Sequence, residues 1–385
     1  MASESQPLKG KAKVVDIHTH MYPPEYVKVL ESRNIIPLVR KFPGAPDPRL
    51  VLLDAEVPLL ESAQQGTSVL PGRPLTRHFS SLYQKIHFMD THHIDISVVS
   101  LANPWLDFLP SDQAFPSAKS INASFSSMCA VHPGRLYFFA ALPLTAPTPQ
   151  LLDCISSISS LPYCRGVILG TSGLGSGLDD PAILPIFSAL ADADLPIFLH
   201  PHYGLPNSVF GPRSAAGEYG HVLPLALGFP METTIAVARM FLAGVFDKVP
   251  NLRIILAHSG GTLPFLAGRI ESCIMHDGHL VNGMKKGARR TVWEVLSTQV
   301  YLDAVVYGEV GLKAAVEASG GSERLMFGTD HPFFPPVGGE EGEEDGEWES
   351  VGLNVKAVVK VIGEGEEYEG VMGGNAFSVL RLEGE

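Results

Sequence analysis

His18 and His20 close the first apolar run of the chain, in the segment Asp16-Ile17-His18-Thr19-His20. Side chains alternate between the faces of a strand, so these two imidazoles project to the same side. A pair of neutral imidazoles on one face suits zinc or another divalent ion. The plain alternative is a pair of ordinary interior histidines. Four later runs tip the balance toward metal. They end in His200-Pro201-His202, in Ala257-His258-Ser259-Gly260-Gly261, in Gly328-Thr329-Asp330-His331-Pro332 and in Leu101-Ala102-Asn103-Pro104-Trp105. Chance is a poor account of five apolar runs that all end in His, Asp or Asn.

Eight short apolar runs position these residues, at 14–18, 96–102, 136–142, 166–169, 196–200, 253–258, 300–304 and 325–329. Most lack alternation of polar and apolar residues, as expected of strands buried on both faces of a parallel sheet. Between them lie segments with helical spacing, at 111–131, 149–161, 181–193, 231–248, 262–275 and 308–318. Asp180 before Pro181 is a good helix start. Strands alternating with helices predict a distorted (β/α)8 TIM barrel in one domain spanning 1–385, whose sites form at the C-terminal strand ends. A doubly wound open sheet is the alternative. Two stretches break the repeat. Residues 21–80, rich in Pro and Gly, read as an insertion after strand one, over the barrel mouth. Residues 338–350 read as an acidic, solvated loop.

Composition narrows the function classes. The 385 residues carry a net charge of −13. The segment 340–385 holds 13 acids and 3 bases, a net of −10, which leaves −3 for the rest. A nearly neutral body on an acidic chain argues against nucleic acid and anionic membranes as partners. No secretory leader is visible, and Pro, Gly or charge breaks each long apolar run, so a cytoplasmic location without a membrane partner is expected. Cys129, Cys154, Cys164 and Cys273 form no CxxC pair and read as buried free thiols. His87, His92, His93, His276 and His279 have no partner motif and read as structural or exposed.

The segments DIHTHMYP, SLANPW, FLHPHYG, AHSGG and GTDHPFF together resemble the amidohydrolase superfamily. Within it they are most similar to the decarboxylase branch typified by aminocarboxymuconate-semialdehyde decarboxylase, and there to the fungal-type decarboxylases of 5-carboxyuracil (isoorotate). The resemblance implies one Zn2+ per chain and no organic cofactor, with His18, His20, His200 and Asp330 as metal ligands. Binuclear members carry a bridging Lys or Glu at the end of strand four. This chain reads Gly166-Val167-Ile168-Leu169-Gly170 there, which favours a single metal.

The resemblance further implies that His258 faces the substrate and that His202 reaches the same pocket. Asn103 could read an amide edge, Phe333 could stack on a planar ring, and Arg73 could clamp an anionic oxygen, with Arg77 as its rival. The implied reaction is non-oxidative decarboxylation of a small carboxylated pyrimidine or aromatic ring. Asp330 is the first choice of proton donor, and His258 or His202 the second. A homodimer or homotetramer is the implied assembly. The same ligands would serve a hydrolase of a cyclic amide or lactone, or a decarboxylase of a hydroxybenzoate or a muconate semialdehyde. A non-catalytic metal-binding barrel is the reading from outside the enzymes.

Overall fold

The computed structural model describes residues 12–66, 69–202, 204–211, 219–281, 289–336 and 346–382. The main sheet takes its strands from the runs read above. They are β1 (Val15–His20), β5 (Ile96–Ser100), β6 (Leu136–Ala141), β7 (Cys164–Gly170), β8 (Ile197–His200), β9 (Ile254–Leu256), β10 (Val300–Asp303) and β11 (Leu325–Met326). Hydrogen-bonded neighbours run in the order β1-β5-β6-β7-β8-β9-β10-β11, and every pairing is parallel. Single bonds from Ile17 N to Phe327 O (3.1 Å), Asp330 N to His18 O (2.7 Å) and His20 N to His331 O (2.8 Å) bring the last strand back to the first. The result is a nearly closed (β/α)8 barrel. Its interior is apolar because the strands are covered on both faces: Ile17, Phe139, Phe198, Leu256 and Leu302 are all inaccessible to solvent.

Element boundaries shift in ways that matter for the site. β1 extends to His20, so both histidines lie within the strand. β9 stops at Leu256, and His258 opens a short turn in which His258 and Ser259 take left-handed φ values of 54° and 52°. The run expected as one helix over 231–248 is divided. A π turn, Pro224–Gly228, leads into the helix Phe229–Leu242, and Gly244 (φ 65°) separates the short turn Val245–Lys248. By length and composition Pro224–Leu242 could cross a membrane, although the sequence reading discounted every such run; half of it is packed inside the protein. Cys273 is exposed, which corrects the expectation of four buried thiols; Cys129, Cys154 and Cys164 are buried, and all four are free.

The segment after β1 forms a helix, Pro24–Glu31, and an antiparallel sheet of β2 (Leu38–Arg40), β3 (Arg49–Val51) and β4 (Arg73–Pro74). Leu38, Phe42, Ala45, Val51 and Ala63 give it a small apolar core of its own. Gly72 (φ 73°) sets the turn into β4, and a Cβ there would lie 2.4 Å from Leu50 O. β4 thereby carries Arg73 to the barrel, where Nη2 donates to Phe333 O (3.3 Å). Of the acidic loop 338–350, residues 338–345 lie outside the described residues.

Candidate metal centre and its cavity

Three imidazoles meet at the C-terminal end of the barrel. The rings of His18 and His20 lie 5.1 Å apart between centroids, His18 and His200 5.2 Å, and His20 and His200 5.2 Å, at interplanar angles of 86°, 87° and 90°. Each Nδ1 is engaged on its outer side. His18 Nδ1 donates to Asp303 Oδ2 (2.6 Å), His20 Nδ1 meets Ser100 Oγ (3.1 Å), and His200 Nδ1 donates to Pro201 O (2.9 Å). These bonds turn Nε2 inward on each ring, and the Nε2 atoms of all three are buried without a hydrogen-bond partner. An unsatisfied buried polar atom costs about 1–3 kcal/mol, so three in one place point to a ligand that satisfies them together. Imidazoles anchored through the far nitrogen are the usual form of a metal-binding histidine.

Asp330 supplies the anionic donor. Its Oδ1 is 3.3 Å from His18 Nε2 and 3.4 Å from His20 Nε2, and its Oδ2 is 3.7 Å from His258 Nε2. One ligand atom from each of His18, His200, His258 and Asp330 falls within a mutual distance of 4.8 Å. The implied ligand set therefore has a further neighbour. His258, read as facing substrate, belongs to this group, whereas His20, read as a ligand, falls outside it and meets it through Asp330 Oδ1 at 3.4 Å. Burial works to raise the Asp330 carboxyl, but His18, His20 and His258 outweigh it and hold it well below the usual carboxylate range. Burial lowers His20 to about 4. Burial, then the neighbouring His258 and His18, place His200 well below its ordinary value. His20 and His200 as neutral imidazoles and Asp330 as a carboxylate are already in the protonation states that a divalent cation requires, whereas His18, raised to about 10 by Asp330 and Asp303 against its burial, must give up a proton to ligate. Once it does, the residues fit such an ion.

A cavity of about 860 Å3 opens over this centre. His200, His258 and Asp330 form its floor, with Arg73, Asn103 and Phe333 beside them. The Asn103 side-chain nitrogen is buried without a partner, while Tyr22 Oη donates to its backbone carbonyl (2.8 Å) and fixes the loop. The Arg73 guanidinium lies 5.0 Å from the Phe333 ring centroid. Arg77 is exposed and does not line the cavity. The outer wall is apolar, with Val222, Leu225, Phe229 and Phe334.

His202 does not join the cluster. Its Nε2 is held by Asp107 Oδ2 (2.9 Å), its ring packs on Trp105 at 4.4 Å, and it borders a separate small void. A Cβ on Gly170 would lie 1.9 Å from His202 Cε1. The end of β7, where binuclear relatives are expected to carry a bridging ligand, is thus occupied by this ring.

Several contributors escaped the sequence reading. Asp303 accepts from His18 Nδ1 and also from the backbone N–H groups of His258 (3.0 Å), Ser259 (2.8 Å) and Val305 (3.0 Å). It therefore holds the left-handed turn that presents His258, a conformation that costs energy unless its surroundings enforce it. Tyr307 Oη donates to Asp330 Oδ2 (3.2 Å). Glu232 accepts from His202 N (2.7 Å), Gly204 N (2.9 Å) and Thr171 Oγ1.

The amidohydrolase family model matches residues 15–382. A crystal structure of Metarhizium anisopliae IDCase in apo form is 68% identical, covers 97% of this chain and 98% of its own, and superposes with a TM-score of 0.92. The 2-amino-3-carboxymuconate-6-semialdehyde decarboxylase of Dictyostelium discoideum is 28% identical over 311 residues, 78% of this chain and 76% of its own length. The 5-carboxyvanillate decarboxylase of Novosphingobium aromaticivorans, complexed with manganese, shares the fold at a TM-score of 0.70 and 20% identity, covering 97% of each chain.

Proposed function

Because this chain belongs to the amidohydrolase family over residues 15–382, we propose that it is a metal-dependent carboxy-lyase that converts 5-carboxyuracil (isoorotate) to uracil and carbon dioxide without redox chemistry. One observation carries the reading. His200, His258 and the Asp330 carboxylate line a single cavity with a guanidinium, an unpartnered amide and an aromatic ring, and the buried Nε2 atoms of His18 and His20 lie against Asp330. The 68% identity to IDCase, an isoorotate decarboxylase, supports the substrate.

His18, His20, His200 and Asp330 would hold one divalent ion, with His258 at its edge. We read that ion as zinc, which accepts imidazole and carboxylate together; manganese is the other outcome of metal analysis. When bound, it supplies positive charge to the substrate's oxygen atoms. Arg73 pairs with an anionic oxygen through its planar fork. The Asn103 amide donates to a ring carbonyl, and Phe333 packs on the ring plane.

The reaction needs one proton at the ring carbon and returns the carbon–carbon bonding pair to the ring as carbon dioxide leaves. Asp330 is the group that delivers it. Its Oδ2 faces His258 Nε2 at 3.7 Å, which places that imidazole to pass it a proton. Asp330 must take up that proton after substrate enters, because the free centre keeps it ionised. His202 is bound to Asp107 outside the cavity, which leaves His258 as the alternative donor.

Incubation of the zinc-loaded protein with 5-carboxyuracil in heavy water tests this. Uracil carrying one solvent deuteron at the ring carbon, with one equivalent of carbon dioxide, is expected. An opened ring with its carboxylate intact would make the protein a hydrolase. Turnover of a hydroxybenzoate or a muconate semialdehyde alone would keep the lyase and overturn the pyrimidine.

A further inference from the structure

Lys85, on the helix Leu82–Thr91, is inaccessible to solvent. Its Nζ donates to Thr19 Oγ1 (2.5 Å) and to His331 Nδ1 (2.7 Å). Thr19 stands between His18 and His20, and His331 follows Asp330. The lysine thus bridges the two ends of the barrel that carry these residues. That junction is its weakest part. Among the described residues, β1 and β11 share no ladder; single backbone bonds and one isolated bridge, Thr19 to His331, cross the seam.

Other buried polar groups complete a layer beneath the centre. Asp16 accepts from Thr329 N (3.1 Å) and Thr329 Oγ1 (2.7 Å), and Thr329 Oγ1 accepts from His331 N (3.1 Å). The His331 ring stacks on Phe88 at 3.7 Å. With Nδ1 as the acceptor from Lys85, Nε2 carries the proton and donates to His78 Nδ1 (3.1 Å).

We propose that Lys85 is a positioning residue for the metal centre, a buried staple that fixes His18 and His20 on the first strand against Asp330 after the last. The proposal rests on the reading of those three residues as ligands. An apolar side chain of similar length would fill the space without the cost of burying an ammonium. It could not donate to both sides of the seam at once. A compact amine with at least two N–H donors can.

The test uses the full chain as wild type, Lys85→Met and Thr19→Val, with zinc affinity read by competition against a chromophoric chelator. Folding is checked by near-ultraviolet circular dichroism, and the histidine tautomers by 15N NMR of histidine-labelled protein. Residues that orient metal ligands typically contribute 10- to 100-fold in metal affinity. Folded Lys85→Met should therefore bind zinc about 10- to 100-fold more weakly and lose the wild-type signal of an imidazole protonated at Nε2 and bare at Nδ1. Thr19→Val keeps the lysine and the apolar volume, and should weaken zinc binding in the same direction. It decides the matter if Lys85→Met does not fold. Zinc affinity within twofold of wild type in either folded variant overturns the proposal, as does wild-type His331 protonated at Nδ1. A wild type that binds zinc but leaves 5-carboxyuracil intact defeats only the substrate. A wild type that binds neither zinc nor manganese defeats the ligand reading and the staple with it.

Discussion

His18 has a carboxylate at each ring nitrogen, Asp303 at 2.6 Å from Nδ1 and Asp330 at 3.3 Å from Nε2. Burial favours the neutral ring, but Asp330 and then Asp303 outweigh it and raise His18 to about 10. Without metal, then, a proton occupies the centre. A cation that binds through Nε2 must expel it, whereas His20 and His200 are already neutral at pH 7 and Asp330 is already ionised. Zinc binding at pH 7–8 should release about one proton per site, and affinity should rise about tenfold per pH unit until His18 loses its proton unaided. Calorimetry in buffers of different ionisation enthalpy measures the number. Uptake without proton release would show that His18 is neutral in the free protein. Asp303→Asn should reduce both the proton count and, by about 10- to 100-fold, the zinc affinity, since it removes one of the two carboxylates and the anchor of the ring.

At the scale of elements, the pattern of side chains decides what could be read in advance. His18 and His20 were legible because a period of two puts both on one face of β1. Asp303 obeys the same rule, as the polar end of an apolar run over 300–304, and could have been found by extending it to strand seven. Tyr307 could not. It depends on a left-handed backbone (φ 54°) after β10, pinned by Asn354 Oδ1 to the Tyr307 N–H (2.9 Å), a contact across 47 positions. His202 misled because it repeats the HxH spacing, yet β8 ends at His200, so alternation no longer governs the second ring. Glu232 resembled an ordinary acid in the first turn of a helix. The π turn before that helix instead accompanies a carboxylate that holds the backbone of His202 and Gly204, just past His200. Glu232→Gln would set an amide N–H2 among donors. It should destabilise the protein by about 2–3 kcal/mol and lower turnover through a displaced His200. Urea unfolding measures the first; a loss below about 0.5 kcal/mol, the ordinary range for surface changes, would mean that the carboxylate is not needed.

For the molecule as a whole, the balance between core and metal decides whether the cation makes the fold or only uses it. The apolar cluster that fills the barrel is one connected group with members from Val15 to Leu382, and the centre sits at one end of it. Metal removal should therefore leave a folded protein, unlike small domains whose metal supplies their folding energy. The expected shift follows from mass action and size. Zinc at a thousand times its dissociation constant stabilises by about 4 kcal/mol. A chain of 385 residues has an unfolding entropy near 0.8 kcal/mol/K on the usual per-residue scale, so this corresponds to roughly 5 °C in Tm. Calorimetric scans of the chelator-treated and zinc-loaded protein should thus show two cooperative transitions about 5 °C apart. Loss of the transition on chelation would make the cation part of the folding nucleus. Coincident transitions at saturating zinc would mean that the four ligands hold nothing, whatever their geometry suggests.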